Sequence, residues 1–156
     1  KTPFFSVVVS PINDLEEGKK AGHYDWIYDH ITGKTVPLQN ATGGEKRIYF
    51  VPVNETVPEG KEAEFLAKFG KKPVKNAPNY LLGAMAKLEE KDLPEELKLK
   101  DFIAVSEDEK EVFQSADGGR CFLVCDHRDG ERGLDVVSLA NDWCAVIDLY
   151  FLAEDL

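Results

Sequence analysis

Apolar residues recur along this chain in short runs, and most of the runs carry the two-residue period of a β-strand. Phe4–Ser10 (FFSVVVS) is β-branched and aromatic and is closed by Pro11, so a strand is expected there. Asn13–Gly22 is polar and punctuated by Gly18 and Gly22, which fits a loop or a short helix. His23–Ile31 supports two readings. As a strand it puts Tyr24, Trp26, Tyr28 and His30 on one face; as a helix it aligns Tyr24, Ile27, Tyr28 and Ile31, with Gly33 as the cap. Its aromatic content and the hairpin-like Thr32-Gly33-Lys34-Thr35 favour the strand. Lys46–Val53 is a further strand in which Pro52, lacking a ladder donor, marks an edge or an end.

Two helices are expected next. One spans about Pro58–Phe69 and stops at Gly70. The other spans about Pro78–Lys91, carries Tyr80, Leu81, Ala84, Met85 and Leu88 on one face, and ends before Pro94. Beyond the charged connector Glu95–Lys100 the period returns to two. Strands are expected at Phe102–Val105, Glu111–Gln114, Arg120–Asp126, Leu134–Leu139 and Trp143–Leu152, with turns at Asp117-Gly118-Gly119, Asp129-Gly130 and Asn141-Asp142. Trp143–Leu152 is apolar on both faces apart from Asp148, which places it centrally. The expected class is α+β: a mostly antiparallel sheet of about five to seven strands with two helices packed on one face. The expected organisation is a single domain over residues 1–156, with a helical insert at about 58–91 between the N-terminal strands and a C-terminal sheet region.

Composition narrows the function classes. A chain of 156 residues with 43% hydrophobic content can build a core unaided, and no apolar run reaches the ~20 residues that span a bilayer. The net charge of −10 is unevenly placed: 16 acidic and 15 basic residues lie between Lys1 and Val105, against 13 and 4 from Ser106 to Leu156. Such a balance disfavours nucleic acid and anionic membrane and favours a basic protein partner; the plainer reading is solubility. The chain opens on Lys1 rather than methionine, so sequence upstream is expected, and Lys1–Ser10 lacks the small-residue cleavage site of a signal peptide. Three cysteines, an odd count, favour reduced thiols and a cytoplasmic protein; the sequons Asn40-Ala41-Thr42 and Asn54-Glu55-Thr56 favour secretion with a signal removed before Lys1.

Candidate chemistry is sparse. Cys121 and Cys125 share a strand face but lie about 13 Å apart at a rise of ~3.3 Å per residue, too far to hold one zinc, so core packing is expected and no metal site. His23 and His30 approach each other, with Asp25 or Asp29, only in the helical reading. No phosphate loop, dinucleotide fingerprint, nucleophile elbow or His-Glu-x-x-His is present, and no cofactor is expected. Cys125-Asp126-His127-Arg128-Asp129 has groups suited to acid–base work, although neighbours on a strand face opposite ways and a charged turn is the plainer reading. Asp148 in an apolar strand is expected to be exposed or paired with an arginine such as Arg120.

The leading expectation is a non-enzymatic acidic protein-binding module, of the inhibitor, immunity or adaptor type, that docks on a basic protein. Tyr24, Trp26 and Tyr28 would anchor the partner, and Asp126, Asp129, Glu131, Asp135 and Asp142 would steer it. The alternative is a small hydrolase-like enzyme with His127 as base, Asp126 orienting it and Asp148 nearby.

Overall fold

The computed structural model describes residues 3–36, 38–140, 142–144 and 148–156. Over them the chain forms the strands β1 (Ser6–Val9), β2 (Trp26–Ile27), β3 (Lys46–Pro52), β4 (Lys71–Pro73), β5 (Asp101–Ile103), β6 (Phe113–Gln114), β7 (Arg120–Arg128), β8 (Glu131–Ser138) and β9 (Leu149–Asp155). The helices are α1 (Leu15–Ala21), α2 (Glu62–Ala67) and α3 (Ala77–Lys87). Local chemistry accounts for their ends. The Asp14 carboxylate accepts the Glu17 N–H at 3.0 Å, and α1 runs from Glu16 and Glu17 to Lys19 and Lys20, matching the helix dipole. Asp129 (φ 53°) and Gly130 (φ 80°) form the tight turn between β7 and β8, where two left-handed residues are needed.

One mixed sheet holds all nine strands, in the order β1-β3-β9-β5-β7-β8-β2. The pairs are antiparallel except β5 with β9 and β2 with β8. The middle of this sheet divides. Opposite β3, β9 pairs first with β5 (Asp101 to Leu149) and then with β4 (Lys71 to Asp155). Opposite β8, β7 pairs with β5 through Phe102 and Cys125, and with β6 through Phe113 and Cys121. Past Ala104, whose N–H still donates to the Leu123 carbonyl at 2.9 Å, the chain leaves the sheet, so β4 and β6 flank a gap.

Both faces of the sheet are covered. Ile48, Phe50, Phe102, Leu123 and Leu152 face α1 and α3, whose residues Leu15, Leu81 and Met85 complete one core. Val51, Ile103, Phe122, Val124 and Phe151 face the other way, against Phe65 and Leu66 of α2 and against Trp143. The expectation of two helices on one face is therefore corrected: there are three among the described residues, and α2 and α3 cover opposite faces. Among the described residues the strand count is nine where five to seven were expected. The strand not expected is β4; β2 and β6 are two-residue remnants of the strands expected at His23–Ile31 and Glu111–Gln114, held by pairing with β8 and β7.

Boundaries shift accordingly. Only Trp26–Ile27 of the 23–31 segment is strand, and the helical alternative does not form. The segment expected to be a helical insert contains β4 between its helices. The strand expected at Trp143–Leu152 crosses residues 145–147, outside the described residues; Trp143 makes an isolated bridge to Val57, and β9 begins at Leu149. Asn141, half of the expected Asn141-Asp142 turn, also lies outside them. No helix among the described residues is long and apolar enough to cross a membrane.

Candidate functional site

The groups nominated for acid–base chemistry do not converge. His127 projects towards α3: its ring packs edge-on to Phe102, its Nε2 lies 2.9 Å from Glu90 Oε2, and its Nδ1 faces the Lys100 carbonyl. Asp126 projects from the opposite face, where Arg128 Nε donates to it at 3.2 Å. Asp148 is exposed and paired with Lys100 at 3.1 Å, not with Arg120, whose Nε donates instead to Glu109 at 2.8 Å. Strand alternation separates Asp126 from His127, so no nucleophile–base geometry arises.

The polar centre on the His127 face is Arg132, directly across the ladder and fully buried. Its guanidinium donates to Glu90 Oε2 at 2.6 Å and to the carbonyls of Gly22 (2.8 Å), Met85 (3.1 Å) and Leu88 (2.7 Å). The planar fork thus closes the last carbonyls of α3 and ties α1, α3 and β8 together. Burial pushes the Glu90 carboxyl up, but the His127 hydrogen bond and the Arg132 charge outweigh it and hold the group below its ordinary value. Arg132, Leu134 and Val136 share one strand face, so a cation at an apolar position was the sequence signal for this residue. With every polar partner internal, the cluster is a structural tie.

Tyr24, Trp26 and Tyr28 do not form one open platform. The Tyr24 hydroxyl is buried without a hydrogen-bond partner among the described residues, and burial raises its pKa well above the usual value, against a smaller lowering by Arg132. Trp26 lies on the bare backbone of Gly133, where a Cβ would stand 2.0 Å from the indole, and the Arg128 guanidinium sits 4.8 Å from its ring centroid. Tyr28 packs on the core, and its hydroxyl accepts the Ala116 N–H at 3.2 Å.

The nominated carboxylates fall into separate neighbourhoods. Asp126 and Asp135 share Arg128, with Asp135 3.2 Å from it. Asp101 lies beside them: burial, then the Asp126 carboxylate, push its pKa up to about 6, against the His127 backbone N–H that donates to it at 3.0 Å. Asp129 and Glu131 are exposed at the β7–β8 turn, whereas Asp142 accepts the Glu59 N–H at 3.0 Å beside α2. Cys121 and Cys125 are buried and Cys144 is half-buried, all three as free thiols; burial pushes the first two up. No cluster of His, Cys, Asp and Glu among the described residues is placed to hold a metal ion.

A concavity forms at the gap left beyond β5. A groove of about 390 Å³ runs between the start of α2, the end of β4 and the segment after β5. Its floor is Val105, Val112, Phe122 and Leu139, and its rim is Glu59, Glu107, Asp108 and Glu109. Glu62, only 8% exposed, lines it too, with Oε2 accepting from Trp143 Nε1 at 2.7 Å and from the Gly60 N–H at 3.4 Å. Arg120 is the one cation in the lining among the described residues, and its bond to Glu109 holds that carboxyl below its ordinary value. A second hollow of about 460 Å³ adjoins across Pro73 and Ser106. There Glu111, 2% exposed, accepts from the Asn76 and Ala77 N–H groups at 3.3 and 3.2 Å and from Ser106 Oγ at 2.6 Å, and so supplies the negative charge that the start of α3 attracts. The groove was not foreseen because its walls come from five separate segments. Its one sequence signal is the acidic run Glu107-Asp108-Glu109.

Comparison with protein-family models, with curated protein sequences and with solved structures finds no match to this chain.

Proposed function

We propose that this protein is a non-enzymatic acidic binding module, of the inhibitor, immunity or adaptor type, that docks on a basic protein. The observation that carries the reading is the groove, with an apolar floor inside an acidic rim. Its volume is about 390 Å³. Apolar area at the centre supplies affinity, and a rim in which carboxylates outnumber the one cation, Arg120, speeds encounter and sets partner choice. The docking residues therefore differ from those the sequence nominated: Glu59, Glu107, Asp108 and Glu109 take the steering role, and Asp142 adjoins them through Glu59. The hydrolase alternative has no comparable support, since Asp126, His127 and Asp148 face three different environments.

The test is fluorescence anisotropy with a labelled peptide of alternating lysine and leucine, beside an alternating glutamate and leucine control, at low and high ionic strength. The lysine peptide is expected to bind at low salt and weaken as salt rises, and the glutamate peptide not to bind. A lysine peptide that fails to bind at low salt, or binds with no salt dependence, overturns the reading.

A further inference from the structure

We infer that the groove receives a single lysine or arginine side chain of the partner as an anchor, its stem lying on the apolar floor and its charge meeting Glu62. The inference rests on the docking reading above and specifies which contact dominates it.

Glu62 differs from the rim carboxylates in burial. It is 8% exposed, whereas Glu59, Glu107, Asp108 and Glu109 are open to solvent. Only its Oε2 is engaged; Oε1 takes no hydrogen bond among the described residues, although a carboxylate has room for several donors. The Trp143 indole, itself 4% exposed, fixes the carboxylate's orientation. A buried and oriented acceptor with a spare oxygen discriminates between cationic and neutral side chains, because a desolvated charge pair is sensitive to loss of either partner. The floor suits the approach to it: lysine and arginine lay their methylene stems on apolar surface and send the charge onward. One feature of the groove already follows this chemistry, since the Arg120 guanidinium rests on the Glu109 carboxylate. Both members of that pair are more than half exposed, 55% and 71%, so an incoming cation competes with a weakly held internal one.

The experiment measures binding of an otherwise neutral peptide with one lysine flanked by leucines, and of its norleucine analogue, to the wild-type protein and to Glu62→Gln, Glu107→Gln and Arg120→Ala. Norleucine keeps the stem and removes the charge. The Glu62→Gln variant retains, in its amide oxygen, an acceptor for Trp143, and a thermal melt checks that the fold is kept. The lysine peptide is expected to bind about tenfold or more tightly than the norleucine peptide, and to lose most of that advantage in Glu62→Gln through a faster off-rate. Glu107→Gln is expected mainly to slow association, and Arg120→Ala to tighten binding. Equal affinity for the lysine and norleucine peptides overturns the anchor, and so does a folded Glu62→Gln protein that binds the lysine peptide as wild type does. Either result leaves the docking reading intact if the alternating lysine peptide still binds in a salt-dependent way. If Glu62→Gln fails to fold, the lysine–norleucine comparison on wild type decides alone.

Discussion

Two buried or half-buried charges bear on the stability of this fold with opposite signs. Arg132 satisfies three main-chain carbonyls and one carboxylate from a fully buried position. Arg132→Met strips the three buried carbonyls of this donor, so a loss of about 3 kcal/mol or more is expected, read as a lower urea midpoint. Arg132→Lys is expected to recover little, because one ammonium cannot reproduce the fork. Asp101 works against the fold at neutral pH. Its carboxyl is raised from 3.8 to about 6, chiefly by burial and then by Asp126, so between those values the folded state holds a proton that the unfolded state has released. Stability from this group is therefore full below about pH 4, falls as pH rises to about 6, and stays lost above that. Asp135, raised mainly by burial, adds to the same trend, and Glu90, held low, opposes it. Asp101→Asn keeps an acceptor for the His127 N–H and removes the charge. Its melting temperature is expected to exceed wild type at pH 7.5 and to match it near pH 4; a variant no more stable at pH 7.5 would refute this assignment.

At the level of elements, α3 depends on residues far from it in sequence. Its first turn carries no capping side chain of its own, since Asn76 is left-handed (φ 60°) and makes no such bond, and Glu111 supplies the acceptor from the connection between β5 and β6. Glu111→Ala leaves those donors with no acceptor in a buried place and is expected to cost about 1–3 kcal/mol, whereas Glu111→Gln, which keeps an acceptor, is expected to cost less. Hydrogen exchange at Ala77 would localise the effect. The same dependence explains what was readable from sequence. β1, β3, β7 and β8 were legible because β-branched and apolar residues mark each of them, and α3 because Tyr80, Leu81, Ala84, Met85 and Leu88 recur at helical spacing. β4 was not, because Lys71-Lys72-Pro73 has no such signal and is strand only by lying against Glu154 and Asp155. The placement of α2 and α3 on opposite faces was equally hidden, since both segments carry an apolar stripe and nothing local says which side of a sheet it meets.

For the molecule as a whole, the uneven charge of the sequence is partly cancelled in space. Lysines from the near-neutral first part meet the acids around β9: Lys46 pairs with Glu154, Lys71 with Asp155 and Lys100 with Asp148. Arg128 takes up Asp126 and Asp135. Glu107 and Asp108, by contrast, make no ion pair among the described residues and stand at the lip of the groove. Charge counted along the chain cannot say which carboxylates are left unpaired, because pairing is decided by strand order. His127 and Asp126 show the same limit, being neighbours in sequence and on opposite faces of the sheet.

The seat of β9 has a consequence for how the protein is made. It pairs with β3, β4 and β5, yet it follows all of them in the chain. During synthesis from the N-terminus those three strands leave the ribosome with no central strand to join them, and their edges stay open for as long as translation of the remainder takes. The two halves of the sheet can meet only after Leu149–Asp155 emerges, so closure of the sheet waits on the last of its strands and on contacts of long sequence separation.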